Sequence, residues 1–198
     1  MRLPFSRIIQ ECRFAAIDFE SAGAAPGETD QPVQIGIARI GGWQEKPLLW
    51  ESYIATNKPV LWSASKVHGI TTDMLAGAPS FLSLWNTIRT YLEGAVVIGH
   101  NPATERRFLR HFPGHGFGPW IDTLALARMC LPGLPDYSLR SVADALGVSD
   151  SLAALLPGKT WHNALFDAAA SLFIFQVVVR ELHLEESPLD TLGAAIKQ

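Results

Sequence analysis

The amino-acid sequence predicts a single α/β domain built on a mixed sheet. Three observations lead there. Short apolar runs bounded by Gly and Pro come first in the chain, and stripes at helical spacing alternate with them later. The length, 198 residues, suits one domain with at most a small appendage. A composition of 48% hydrophobic and 18% charged residues supplies a full core and excludes intrinsic disorder.

The elements follow in order. FAAIDFE (14–20) reads as a short strand, followed by a Gly/Ala/Pro loop to about residue 31. PVQIGIARI (32–40) is a second strand, Gly41-Gly42 is a turn, and residues 48–54 form an antiparallel neighbour. Apolar residues at 81, 84, 85, 88 and 92 mark a helix over 81–92. AVVIG (95–99) is a buried strand, and Pro102 opens the next helix, where its missing N–H costs nothing. Asp122 caps a helix that runs to Cys130, and Ser138 caps one that Gly147 closes. The last helix, about 164–182, is apolar almost all round, which predicts burial in a core or at a subunit interface.

A net charge of −3 excludes a strongly basic nucleic-acid coat, although local basic contacts stay open. Cys12 and Cys130 form no CxxC pair, so a disulfide framework and a cysteine-rich zinc module are excluded, and a reducing cytoplasm is expected. No apolar h-region marks a signal peptide, and Asp167 and Gln176 interrupt the most apolar stretch, so no membrane span is expected.

Acids in apolar settings carry the chemistry. Asp18 and Glu20 are two apart in a strand, so both project from one face with Cα atoms roughly 6.6 Å apart; Phe19 points to the other. Taken alone, the pair fits two solvated acids at a strand tip. Glu105 shares a helical stripe with Phe108, Leu109 and Phe112, while Arg106, Arg107 and Arg110 lie opposite. That places its carboxylate core-side, where an unpaired charge is costly, or at the helix end, where it complements the dipole. Asp167 interrupts the longest apolar helix and Ser171 extends the notch, a position that calls for a partner. His162 sits just before that helix. Four carboxylates, an imidazole and no cysteine suit Mg²⁺ or Mn²⁺. They are too many for one Mg²⁺ but fit two ions about 3.5–4 Å apart, the arrangement that promotes in-line displacement at phosphorus. A neutral His accepts the proton of an attacking water.

IDFE (17–20), GHNPATERRFL (99–109) and HNALFD (162–167), in this order and spacing, resemble the three motifs of the DEDDh family of 3′–5′ exonucleases. That group includes the proofreading epsilon subunit of DNA polymerase III, oligoribonuclease and ribonuclease T. VQIGIA (33–38), KVHGIT (66–71), DTLALAR (122–128) and YSLRSVADALGV (137–148) agree with it, and the similarity spans about residues 14–180. The resemblance implies a ribonuclease-H-like fold with a mixed five-stranded sheet flanked by helices. It also implies release of nucleoside 5′-monophosphates from a 3′ end. Asp18 would bridge two divalent cations, Glu20 and Asp167 would complete the first site, and His162 would be the general base. Glu105 stands where the family carries an Asp, a reach longer by roughly 1.5 Å.

On this reading residues 1–12 are an N-terminal extension, 13–184 the exonuclease domain and 185–198 a short C-terminal tail. Phe19, His68, Asn101 and Trp161 are candidate substrate contacts, and Trp62 is a further aromatic able to meet a base. The expected partners are single-stranded nucleic acid 3′ ends or short oligonucleotides, with a homodimer allowed by the apolar last helix. The competing reading is a catalytically weakened domain of the same type that binds nucleic acid or a polymerase. PGKT (157–160) lacks the earlier Gly of a phosphate-binding loop, Pro113-Gly114 separates His111 from His115, and no GxSxG or HExxH occurs.

Overall fold

The structure, a computed structural model, describes residues 6–197. β1 (Phe14–Ser21), β2 (Pro32–Ile40) and β3 (Leu48–Tyr53) form an antiparallel meander. β4 (Val96–Gly99) joins β1 in parallel, β5 (Trp120–Asp122) joins β4 in parallel, and β6 (Ile196–Lys197) ends the sheet antiparallel to β5. The strand order is β3-β2-β1-β4-β5-β6. The helices are α1 (Trp62–His68), α2 (Trp85–Leu92), α3 (Ala103–Leu109), α4 (Thr123–Cys130), α5 (Leu139–Ala145), α6 (Ser149–Leu155) and α7 (Ala164–Glu181).

Most expected elements stand within one or two residues. Asp122 caps α4 by accepting from the N–H groups of Leu124 and Ala125, and Ser138 caps α5 through Ser141. Pro102 sits at the cap of α3 rather than inside it, and a 3-10 turn (Phe81–Leu84) precedes α2. The expected five-stranded sheet gains β6, which at two residues shows no readable periodicity.

Near both ends, described residues bond and pack against the body of the domain. Residues 1–5 of the expected extension lie outside the described residues, but the Ile9 N–H donates to Ser187 O and the Leu189 N–H to Arg7 O. Leu189, Leu192 and Ala195 then bury their side chains in the core. Residues 189–195 therefore pack as part of the domain, because their apolar side chains recur every three positions along a 3-10 turn (Leu189–Ala195).

Alternation along β1 divides the core in two. Phe14 and Ala16 face α7, while Ala15, Ile17 and Phe19 face α2 and α3. α7 buries 14 of its 18 residues, with the sheet on one side and α4, α5 and α6 on the other, so its uniform apolarity serves the core. Its N-terminus lies directly on β2. A Cβ on Gly36 would stand 2.2 Å from Leu165 N and 2.3 Å from Ala164 C, so only glycine lets the helix start this close to the sheet. Gly36→Ala is therefore expected to lower stability by about 3 kcal/mol, read in thermal unfolding as a Tm loss of roughly 2–4 °C per kcal/mol.

Candidate active site

The parallel strands β1, β4 and β5 end on the same side of the sheet, the edge where α/β proteins place their sites. Asp18 and Glu20 leave the end of β1 on the α7 face. Glu105 comes from the first turn of α3, one short loop after β4, and Asp167 from the first turn of α7. His162 stands just before α7 in the left-handed region at φ 64°, and its N–H donates to Asp167 Oδ2 at 3.1 Å. Ligand atoms of Glu20, His162 and Asp167 lie within 4.8 Å of one another. All five predicted residues thus converge from three separate parts of the chain.

Their electrostatics are those of an unbalanced acidic crevice. Desolvation, then repulsion from Glu105, Asp167 and Glu20, holds the Asp18 carboxyl well above its usual range. Burial and then the charges of Asp167 and Glu105 push Glu20 up to about 8. Burial raises Glu105 to about 7 against the opposing pull of its own backbone N–H and Arg107, and burial raises Asp167 to about 7. Glu105 Oε2 and Asp167 Oδ1 are buried without a hydrogen-bond partner. Orphaned carboxylate oxygens beside mutually repelling acids are the donor set a hard divalent cation satisfies. The residues present fit the expected cations.

Backbone and side chains around the crevice hold these groups. Asp122 Oδ1 accepts from the N–H of Asn101 (3.0 Å) as well as from α4, and so pins the turn that launches α3 and Glu105. Asn101 itself adopts φ 59° and its side chain is exposed. Gln34, buried on β2, accepts the Ala164 N–H at 3.1 Å and donates to Glu51, which Lys159 pairs from the loop before His162. This clasp ties the His162 loop and the start of α7 to β2 and β3. Sequence reasoning missed Gln34, Glu51 and Lys159; the available signal was one polar residue in the otherwise apolar run PVQIGIARI.

The candidate substrate contacts fare unevenly. Phe19 is 6% exposed, with its ring edge-on to Phe81 and Phe108, so it packs in the core and the expected substrate role is withdrawn. His68 is half-buried. Its Nδ1 accepts from the Ile70 N–H, so Nε2 carries the proton and donates to Ser21 O at 3.0 Å. Both ring nitrogens are engaged, and burial lowers its pKa, with the charge of nearby His162 adding to the effect. Trp161 leans edge-on against Phe166 and stays partly open. Nδ1 of His111 and of His115 bonds to the carbonyls of Phe108 and Phe112.

Residues 15–175 match the family model described as Exonuclease. The chain belongs to the exonuclease family. This exonuclease domain is 27% identical over 195 residues to a DNA polymerase III subunit epsilon-like protein of Rhodobacter capsulatus, covering 96% of this chain and 27% of that protein. It is 31% identical over 170 residues to a DNA polymerase III PolC-type protein of Thermotoga maritima, covering 83% of this chain and 12% of that one. The chain therefore spans about a quarter or less of these relatives. Two solved structures share the fold. Exonuclease X in complex with 5′-overhanging duplex DNA superposes with a TM-score of 0.69 at 23% identity, covering 91% of this chain and 99% of that one. The nuclease domain of 3′hExo, a DEDDh family member bound to rAMP, gives 0.72 at 15% identity, covering 95% and 97%. No helix among the described residues is long and apolar enough to cross a membrane.

The raised carboxyl pKa values set a pH dependence. The folded, cation-free exonuclease domain keeps protons that the unfolded chain has released, from about pH 4.5 up to about 8. Stability falls as pH rises wherever the folded state binds more protons. In EDTA the Tm is expected to fall between about pH 5 and 8, and saturating Mg²⁺ or Mn²⁺ to raise it more at the upper end. A Tm flat in pH and indifferent to cation would contradict the crevice. Gln34→Leu, which orphans the Ala164 N–H and a Glu51 oxygen, is expected to cost about 1–3 kcal/mol in denaturant unfolding.

Proposed function

We propose that the domain is a divalent-cation-dependent 3′–5′ exonuclease. It hydrolyses the terminal phosphodiester of a single strand of DNA or RNA and releases nucleoside 5′-monophosphates. The observation that carries this reading is the convergence of Asp18, Glu20, Glu105 and Asp167, two of them with orphaned buried oxygens, beside the exposed imidazole of His162. The family match supports it, as does the likeness to a nuclease domain of the DEDDh kind.

The roles follow from position. Asp18, Glu20, Glu105 and Asp167 would hold two Mg²⁺ or Mn²⁺ ions, with Asp18 shared between them. Bound there, the cations supply positive charge to the attacking and leaving oxygens of an in-line displacement. His162, open to solvent beside Glu20 and Asp167, takes the proton of the attacking water on a ring nitrogen. The bond to phosphorus forms from that water, the bond to the 3′-oxygen breaks, and a solvent proton completes the new 3′-hydroxyl. The backbone of His162, fixed through Asp167, keeps its ring at the mouth of the crevice. Glu105 replaces the shorter Asp of the resemblance, yet its carboxylate is buried and held by its own N–H, so the longer side chain still serves the crevice.

Hydrolysis of 5′-labelled DNA and RNA oligomers with Mg²⁺, Mn²⁺ or EDTA tests the reading. The expected result is a cation-dependent ladder shortening from the 3′ end. Asp18→Ala abolishes it, and His162→Ala slows it by about 10²–10⁴-fold. Glu105→Asp is expected to keep activity and change the Mg²⁺/Mn²⁺ preference. A silent wild-type protein whose ladder appears only in Glu105→Asp would instead support the weakened, binding-only reading.

A further inference from the structure

α1 is unusual in burying none of its residues. Trp62 is 72% exposed and Val67 54%, and Met74 in the 3-10 turn that follows is 45% exposed. A large apolar side chain left this open on a surface helix serves neither core nor solubility, and such exposure marks a candidate interaction surface. The helix is nevertheless held firmly, and the place it is held is the catalytic strand. The Leu61 N–H donates to Ala22 O at 2.8 Å, and His68 Nε2 donates to Ser21 O at 3.0 Å. Ser21 and Ala22 are the two residues directly after Glu20. Through His68 the C-terminal end of α1 is thus fixed to the residue that follows Glu20. Gly69, at φ 75°, ends the helix there and turns the chain back to the buried Ile70.

Along this helix Lys66 lies one turn from Trp62, with its ammonium 4.1 Å above the ring centroid. The pairing orients the indole and leaves its second face to solvent. It also sets a positive charge beside a flat π surface, the combination by which proteins hold unpaired bases without reading their sequence. Stacking, unlike hydrogen-bond readout, needs only a base free of its partner, so the surface suits a single strand.

We propose that the exposed face of α1 is a binding platform for single-stranded nucleic acid, with Trp62 stacking on a base and Lys66 meeting a phosphate, upstream of the 3′ end held at the carboxylates. The proposal rests on the exonuclease reading for the strand's direction, but its binding surface stands apart from hydrolysis. It also accounts for strand capture by a chain of negative net charge, in which a general basic coat is absent.

The test is equilibrium binding of 5′-labelled two- and ten-nucleotide DNA and RNA oligomers in EDTA, where hydrolysis is blocked, to the wild type, Trp62→Ala, Trp62→Phe and Lys66→Ala. Trp62 is exposed, so its variants are expected to fold, as thermal unfolding would verify. Trp62→Ala should weaken the ten-nucleotide oligomer by roughly 5- to 150-fold, the weight of one stacked base, and leave the two-nucleotide one unchanged. Trp62→Phe should restore most of the loss, and Lys66→Ala should reduce the salt dependence of binding. The proposal is overturned by equal affinity of wild type and Trp62→Ala for the long oligomer, by equal losses at both lengths, or by no oligomer binding at all. Binding that follows this pattern without any hydrolysis in Mg²⁺ or Mn²⁺ would sink the exonuclease reading and leave the platform standing. A ladder whose KM for long oligomers is indifferent to Trp62→Ala would do the reverse.

Discussion

The crowding of four poorly solvated carboxylates into one crevice is the constraint around which the domain is organised. Burial raises the proton affinity of all four acids, the charges of Glu105 and Asp167 raise that of Asp18 and Glu20 further, and two of the carboxylate oxygens meet no donor. An arrangement of this kind relaxes by moving apart unless the surrounding structure prevents it. The two acids of β1 are held by their strand, which pairs with β4 through Phe14–Ala16 and with β2 through Asp18 opposite Gly36 and Glu20 opposite Gln34. Glu105 and Asp167 sit in the first turns of helices whose remaining lengths are locked into opposite halves of the core. The apolar packing on the two faces of the sheet thus holds charge in place that would otherwise disperse.

Several local features read as consequences of that demand. Gly36 lets α7 start in contact with β2, which brings Asp167 to the acids of β1. Asp122 uses one oxygen for three N–H groups and fixes the turn that launches α3. Left-handed backbone at His162 and Asn101, disfavoured for residues with a side chain, occurs in the two loops that deliver His162 and Glu105. Strain gathered at these two points is offset by the ordinary packing elsewhere, as expected when a site is held against its own electrostatics.

Much of this arrangement is legible in the amino-acid sequence. Strand alternation alone puts Asp18 and Glu20 on one face and Phe19 on the other, and helical periodicity puts Glu105 and Asp167 on buried stripes. Where the sequence misleads, its physical signal is weak or shared. β6 is too short to show a period, and α1 buries nothing and so has no apolar stripe to detect. Phe19 illustrates the shared signal: an aromatic flanked by two acids reads the same whether it faces a substrate or a core. Gln34 and Lys159 work through partners 17 or more residues distant, and local patterns are blind to such separations.

The sequence by itself determined the fold class, the order of the main strands and helices, and the identity of the five residues that make the crevice. These depend on properties carried by neighbours along the chain: side-chain periodicity, capping chemistry and the mismatch of an acid in an apolar stretch. Tertiary structure alone decided that the five meet, that two carboxylate oxygens are left without donors, that residues 189–195 pack into the core, and that an exposed tryptophan helix is tethered to the end of β1. Each of those depends on distances between residues remote in sequence, and such distances exist only once the sheet and its two packed faces have formed.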